Sequence, residues 1–159
     1  MLEIGTSGGY STLWLADAAE QTCGHLITLE IEKERWQTAL KHLTATGLSD
    51  VTSTLCADVG AFLQNNQDSY DFILLDAERP AYPAYWMYLK MCLQAPGSVL
   101  VVDNVYPIPS RCRILSLWSM PTMILNRLYC PLVRGLLLAV KITTSCRLGC
   151  DILFRSTYK

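Results

Sequence analysis

Short apolar runs alternate along the chain with longer segments whose apolar residues recur at helical spacing. The runs have the length of buried strands, and they are apolar on both faces, as is typical of central strands covered by helices. We predict strands at residues 2–4, 26–29, 51–56, 70–75 and 98–102, and helices at residues 10–19, 33–46, 60–65 and 84–93. Gly47 is expected to end the second helix. This alternation predicts an α/β fold with a doubly wound, mostly parallel sheet.

The pattern weakens after Asn104. A helix is predicted at residues 110–118, and two strands at 123–129 and 135–142, separated by a turn at 131–134. The two strands predict a C-terminal antiparallel hairpin. A short apolar run suggests one more strand at 151–154. We expect one domain over residues 1–142, followed by a C-terminal extension, residues 143–159, to which the pattern assigns no firm structure.

Composition narrows the class of protein. Hydrophobic residues make up 51% of the chain and charged residues 17%, which excludes a disordered chain. The net charge of -1 and the absence of basic clusters predict no nucleic-acid or membrane-surface partner. No apolar run approaches the ~20 residues of a membrane span, and no export signal is recognisable, so a cytoplasmic location is expected.

The cysteines are expected to be buried thiols rather than disulfides. There are 7, an odd number, and they are scattered mostly through apolar segments. Cys146 and Cys150 have a C-x3-C spacing, but no second Cys or His pair completes a zinc site. A structural zinc is therefore not expected.

A glycine-rich segment follows the first predicted strand and reads Gly5-Thr6-Ser7-Gly8-Gly9-Tyr10-Ser11. Glycines there allow a tight turn and a close approach of the main chain to a ligand. The helix that follows would present free N–H groups at its N-terminus. The alternative is an ordinary strand-to-helix turn with no ligand.

Two acidic residues follow the next two strands. Glu30 stands 21 residues after Gly9 (30 − 9), where an acid can accept hydrogen bonds from ribose hydroxyls; it could instead cap the following helix. Asp58 follows the third strand and could accept a hydrogen bond from an adenine amino group. The alternative for Asp58 is a helix N-cap.

Three oxygen-bearing side chains follow the fourth and fifth strands. Asp76 ends the fourth strand, and Asp103 and Asn104 end the fifth. Ligands of open α/β sheets bind beyond the carboxyl ends of the strands, where these residues should meet. Two carboxylates and an amide suit Mg²⁺ or Ca²⁺, so the sequence predicts a divalent metal site.

As an ordered set, these motifs resemble those of the caffeoyl-CoA and catechol O-methyltransferase family. The resemblance runs from Leu2 to about Val105, and it resumes loosely in the last predicted strand. The segments that carry it are Leu-Glu-Ile-Gly-Thr-Ser-Gly-Gly-Tyr-Ser from residue 2, Thr-Leu-Glu from 28, Tyr-Asp-Phe-Ile-Leu-Leu-Asp-Ala from 70, and Val-Val-Asp-Asn from 101.

The resemblance implies a Rossmann-like class I methyltransferase fold, S-adenosylmethionine (SAM) as methyl donor, and a divalent cation, usually Mg²⁺, held by Asp76, Asp103 and Asn104. The acceptor would be a small catechol-like or phenolic hydroxyl compound, and a homodimer is a candidate assembly. The residues implied in SAM binding are Glu3, Gly5, Thr6, Ser7, Gly9, Tyr10, Ser11, Glu30, Asp58 and Asp76. Tyr10 would line the methionine end of the cofactor.

The sequence departs from the family in two respects. The family often has a lysine three residues after the strand-four Asp, available as a general base, and Arg79 stands there instead. Arginine stays protonated, so Arg79 could stabilise a phenolate but could not take its proton. A catalytic role for Asp76 and Arg79 is expected, with a surface charge as the alternative for Arg79; neighbouring Glu78 could be a base or a supporting group.

The second departure concerns the start of the chain. The family usually has a helical segment before the first strand, and the sequence begins at that strand, so we expect this segment to be missing. Two other functions compete with an active methyltransferase. One is an inactive remnant that still binds the cofactor. The other is an NAD(P)-binding oxidoreductase, which the mismatch to G-x-G-x-x-G and the Asp103-Asn104 pair argue against.

Overall fold

The computed structural model describes residues 1–93, 95–104 and 136–141, and the backbone of residues 125–130. Its strands are β1 (Leu2–Ile4), β2 (Leu26–Glu30), β3 (Thr52–Cys56), β4 (Phe72–Leu75), β5 (Val99–Val102), β6 (Leu125–Cys130) and β7 (Leu136–Lys141). Its helices are α1 (Tyr10–Gln21), α2 (Lys33–Thr46), α3 (Val59–Asn65) and α4 (Tyr82–Cys92), with short 3-10 turns at Leu48–Val51 and Arg79–Ala81. The predicted helix at 110–118, the turn at 131–134, the strand at 151–154 and the extension 143–159 lie outside the described residues.

The strands form one sheet with the order β3-β2-β1-β4-β5-β7-β6. β1 to β5 pair in parallel, β7 runs antiparallel to β5, and β6 runs antiparallel to β7. This confirms the predicted α/β class, the mostly parallel sheet and the C-terminal antiparallel hairpin. Ile4 pairs with Leu29 and Leu75, and Leu75 pairs with Val102. The residues that follow these four strands therefore emerge side by side at one edge of the sheet.

The helices cover the sheet on both faces, as a doubly wound fold requires. On one face, α3 and α4 pack Leu63, Trp86 and Leu89 against the central strands. On the other face, α1 and α2 bury Ala16 and Leu43 in a separate, smaller cluster. The helices thus cover the faces of the sheet, and the loops after β1, β2 and β4 lie at its carboxyl edge.

Several expectations need correction. β3 is the edge strand of the parallel part and is only partly buried, so it is not a central strand with two covered faces. The described cysteines are free thiols, as expected, but Cys23 and Cys56 are exposed and only Cys92 is buried. The expectation of burial is wrong at Cys23, which lies just after α1, and at Cys56, which ends an edge strand.

The end of α2 lies where the sequence predicts it. α2 ends at Gly47, which adopts a left-handed conformation with φ of 77° and donates its N–H to the last turn, as predicted. Among the described residues, no helix has the length and apolar character needed to cross a membrane.

Candidate active site

The glycine-rich segment forms a tight loop between β1 and α1. The N–H groups of Gly5 and Thr6 both donate to the carbonyl of Leu29, at 3.0 and 3.1 Å, which ties the loop to β2. Gly5 has φ of 104°, and a Cβ atom on it would lie 1.9 Å from the main-chain oxygen of Asp76. Only glycine fits there, because the loop after β1 and the loop after β4 touch through their main chains.

Glu3 lies beneath this loop and is fully buried. The hydroxyls of Ser11, Thr12 and Thr28 each donate a 2.6 Å hydrogen bond to its carboxylate. Burial raises the pKa of Glu3, and the three hydroxyl donors oppose that rise. Through these three bonds Glu3 ties the loop to α1 and β2. A direct contact of Glu3 with the cofactor stays a prediction.

Glu30 is held at the end of β2 by main-chain donors. Its carboxylate accepts hydrogen bonds from the N–H of Ser7 at 2.7 Å and from the N–H of Glu32 at 2.9 Å. Glu32 is the N-cap residue of α2, so Glu30 supports the start of that helix, as the capping alternative predicts. Glu30 also lines the cavity described below, and its contact with a ribose stays a prediction. Each of its oxygens retains a lone pair for a ligand hydroxyl.

Asp58 caps α3. Its side chain accepts a 2.7 Å hydrogen bond from the N–H of Ala61, which is the N-cap alternative of the sequence analysis. Asp58 also lines the same cavity as Glu30. The cap fixes the direction of this carboxylate and leaves its second oxygen available to a donor.

Asp76, Asp103 and Asn104 converge as predicted. The side-chain amide nitrogen of Asn104 donates to Asp76 at 3.0 Å and to Asp103 at 3.2 Å. Burial and the negative charge of Asp103 raise the pKa of Asp76, while the bond from Asn104 acts in the opposite direction. Asn104 has φ of 59°, a left-handed conformation that Asn adopts more readily than most residues.

An open cavity of about 420 Å³ lies at the carboxyl ends of β1 to β4, and Asp103 and Asn104 are not among its lining residues. Acidic side chains dominate its polar lining, and Arg35 is the one cationic side chain among the described residues that line it. Its lining residues are Gly5, Ser7, Leu29, Glu30, Ile31, Glu32, Arg35, Asp58, Val59, Asp76, Ala77, Glu78 and Tyr85. Of the predicted cofactor residues, Gly5, Ser7, Glu30, Asp58 and Asp76 lie on this wall.

Other predicted residues lie elsewhere. Thr6 is buried and shares a hydrogen bond with Thr28, while Gly9 packs against Ala39 of α2. Tyr10 is 80% exposed at the start of α1 and does not line this cavity, so its predicted place at the methionine end stays a prediction. Arg79 is exposed in the 3-10 turn that follows β4.

Sequence reasoning missed several residues that shape the site. Thr12 and Thr28 hold Glu3, and Tyr82 holds the loop after β4 by two hydrogen bonds to Ala77. Tyr85 packs partly against the core and also lines the cavity. No local signal distinguishes such residues, because their partners are set by the way the strands are brought together.

Comparison with known proteins supplies the family. A family model described as a methyltransferase domain matches residues 2–105. A catechol O-methyltransferase of Niastella koreensis is 33% identical over 109 residues, covering 66% of this chain and 48% of that protein. The chain thus spans about half the length of the curated relatives it matches.

Two solved structures extend the match to the fold. The O-methyltransferase from Bacillus cereus, in complex with S-adenosylhomocysteine (SAH), is 27% identical with a TM-score of 0.71; the match covers 88% of this chain and 72% of that one. TomG from Streptomyces achromogenes, in complex with SAM, is 25% identical with a TM-score of 0.70, over 89% of this chain and 72% of that one. These matches favour the methyltransferase over the oxidoreductase alternative.

The sheet order, the loop after β1 and the matched residues 2–105 agree with one another. The chain belongs to the methyltransferase-domain family, with the class I fold and with catechol and caffeoyl-CoA O-methyltransferases among its relatives, as the sequence motifs implied.

Proposed function

We propose that this domain transfers the methyl group of SAM to a hydroxyl oxygen of a small catechol-like or phenolic acceptor, assisted by a divalent metal ion. In this reaction the acceptor oxygen forms a bond to the methyl carbon, the bond from that carbon to sulfur breaks, and SAH is released. The hydroxyl proton passes to solvent. One observation carries the proposal: Asp76 joins a carboxylate pair suited to a cation and also lines the cavity shared by Ser7, Glu30 and Asp58.

The cavity wall offers groups of the kind that SAM requires. Gly5 brings main chain to the cavity surface without a side chain in the way. Glu30 and Asp58 hold their carboxylates in fixed directions, with lone pairs free for ribose hydroxyls and an adenine amino group. Leu29, Ile31 and further apolar residues of the wall would cover the flat faces of the base.

The pair at the ends of β4 and β5 fits a divalent cation. Two like charges meet at a partly buried position, where the side-chain amide of Asn104 joins Asp76 to Asp103. A cation would offset both the burial and the repulsion from Asp103 that raise the pKa of Asp76. In the part of the chain that the structure describes, no three His, Cys, Asp or Glu side chains converge, so the proposed ion would take two carboxylates, the Asn104 oxygen and water.

Binding of a cation by Asn104 would require its side-chain amide to rotate. Its amide nitrogen faces both carboxylates, and a half-turn of the amide would present the oxygen instead. When bound, the cation would lower the pKa of an acceptor hydroxyl. The protein's own part is to fix two carboxylates side by side on two rigid strands, which sets where an acceptor can sit relative to the methyl donor.

Arg79 is proposed to stabilise the acceptor oxyanion. Its charge lowers the pKa of Tyr82, against the larger effect of burial, so the guanidinium lies within electrostatic reach of the loop after β4. Because arginine keeps its proton, deprotonation would fall to the metal site and solvent. Replacing Arg79 by Gln should lower kcat and leave SAM affinity within about twofold, since the lost interaction acts on the acceptor.

The test combines calorimetry with product analysis. SAM and SAH are titrated with and without Mg²⁺, and methylated caffeate is then measured by mass spectrometry. Asp103→Ala should abolish Mg²⁺-dependent methylation. Asp71→Asn is the control, because Asp71 precedes β4, at the edge of the sheet opposite the strand ends that carry Asp76 and Asp103, and it should leave activity unchanged.

The outcomes separate the remaining alternatives. SAM binding with metal-dependent product supports the full proposal. SAM binding without product in any metal would identify an inactive cofactor-binding remnant. Failure to bind either SAM or SAH would refute the proposal for this chain.

A further inference from the structure

The phenol of Tyr82 makes a paired contact with one residue of the loop after β4. Its hydroxyl accepts a hydrogen bond from the N–H of Ala77 at 3.0 Å and donates one to the carbonyl of the same residue at 2.9 Å. The side chain is 2% exposed, so water does not compete for these bonds. Both bonds end on the residue that directly follows Asp76.

The other side of that loop is held as firmly. The N–H of Asp76 donates to the carbonyl of Ile4 at 2.9 Å. The carbonyl of Asp76 lies so close to Gly5 that a Cβ atom on Gly5 would overlap it. The chain from Asp76 to Ala77 is therefore fixed between β1 on one side and the Tyr82 hydroxyl on the other.

We propose that Tyr82 is a positioning residue for the active site: its hydroxyl fixes Ala77, and thereby the direction of the Asp76 carboxylate and the start of the turn that carries Arg79. The inference rests on the proposed function, because Asp76 and Arg79 are placed there in the catalytic site. Tyr82 itself need not touch cofactor or acceptor. It acts through the main chain of its neighbour.

The surroundings of the hydroxyl agree with this role. Burial raises the pKa of Tyr82 to about 12, so the hydroxyl keeps the proton that it donates to Ala77 at every physiological pH. The charges of Asp76, Asp103 and Arg79 all act on the phenol. The residue therefore belongs to the core and lies within electrostatic reach of the predicted catalytic group.

Tyr70 provides a matched control. It is also buried, its hydroxyl donates a 2.9 Å hydrogen bond to the side chain of Asn66, and burial raises its pKa to about 12 as well. It precedes β4, at the end of the sheet away from the site. Tyr70→Phe and Tyr82→Phe thus remove the same group from similar surroundings, and only Tyr82→Phe frees the loop that carries Asp76.

The experiment measures amide hydrogen exchange by NMR, together with kcat and KM for methylation. Tyr82→Phe should speed exchange of the Ala77 amide by about tenfold or more and leave the β4 amides unchanged. It should lower kcat by about tenfold or more, since small displacements of reacting groups have large effects. Tyr70→Phe should leave the Ala77 amide and kcat within about twofold of wild type, while its thermal midpoint falls by an amount similar to that of Tyr82→Phe.

Unchanged Ala77 exchange in Tyr82→Phe would overturn the inference, and so would wild-type kcat in a variant whose loop has been freed. Failure of the proposed function is recognised separately, in the wild-type protein, by absence of SAM binding or of product. In that case the exchange measurement alone decides whether Tyr82 holds the loop.

Discussion

Three glycines of the loop after β1 provide a graded test of how closely the two halves of the site are joined. A Cβ atom on Gly8 would meet nothing within 4 Å, whereas one on Gly9 would lie 3.1 Å from the Cβ of Ala39. On Gly5 it would lie 1.9 Å from the main-chain oxygen of Asp76. The same substitution, Gly→Ala, therefore meets open space, a tight side-chain contact and a main-chain overlap.

The expected losses follow from these contacts and from the backbone angles. Gly8→Ala should change the free energy of unfolding by less than about 1 kcal/mol, and it can stabilise by restricting the unfolded chain. Gly9 has φ of 88°, so Gly9→Ala combines about 1–2 kcal/mol of left-handed strain with a crowded contact. Gly5→Ala adds an overlap that only a shift of the main chain can relieve, and we expect about 4 kcal/mol or more.

Urea unfolding followed by tryptophan fluorescence measures the series without any ligand. Gly8→Ala should be the most stable variant, Gly9→Ala the next and Gly5→Ala the least stable. In a separate titration, SAM affinity should fall most in Gly5→Ala. If Gly5→Ala is as stable as Gly8→Ala, the loops after β1 and β4 do not touch in the way described. The two loops would then not form one unit.

Three further predictions concern the charges of the site. Glu78→Gln should weaken SAM binding by about two- to fivefold and leave SAH binding unchanged, because SAM carries one more positive charge than SAH and the cavity wall is acidic. Calorimetry measures both affinities, and Glu34→Gln, which lies outside the cavity, is the control. Burial and the charge of Asp103 raise the pKa of Asp76 above its unfolded value, so ionisation of Asp76 lowers stability as pH rises through the carboxyl range. Asp76→Asn should therefore raise the metal-free free energy of unfolding at pH 7 and remove any Mg²⁺ effect on the thermal midpoint. A lower stability of this variant would contradict the prediction. Glu3→Ala should lower the free energy of unfolding by about 3 kcal/mol or more, because three hydroxyls lose their acceptor, whereas Glu3→Gln should lower it less. Urea unfolding measures both losses, and equal losses would show that the hydroxyl bonds contribute little.

The fold and the polar residues at the strand ends could be predicted because both depend on local pattern. Apolar runs define the strands, and parallel strands end at the same edge of a sheet. The meeting of Asp76, Asp103 and Asn104 follows from these two rules alone, without any knowledge of the loops. The edge position of β3 does not follow from them, because strand order depends on how the crossovers pack.

The supporting contacts could not be predicted for a related reason. Glu3 and Thr28 are 25 residues apart and meet because β1 pairs with β2 in one register. A shift of that register by one residue would turn Thr28 to the other face. The resemblance named Glu3 as a cofactor residue, but it could not give the direction of the carboxylate, which depends on three hydroxyls contributed by α1 and β2.

The strand order explains why the glycine-rich loop after β1 lies beside the loop after β4 that begins with Asp76. From β1 the chain winds outward to β2 and β3, and it then crosses back to β4 on the opposite side of β1. In the described residues, no crossover covers the gap between the ends of β1 and β4, which is the switch point where open α/β sheets bind ligands. Gly5 stands on one side of this gap and Asp76 on the other, in main-chain contact. Each loop limits the position of the other, so a change that moves Asp76 should also alter the loop after β1. The glycine series tests this coupling from the loop after β1, and Tyr82→Phe tests it from the loop after β4.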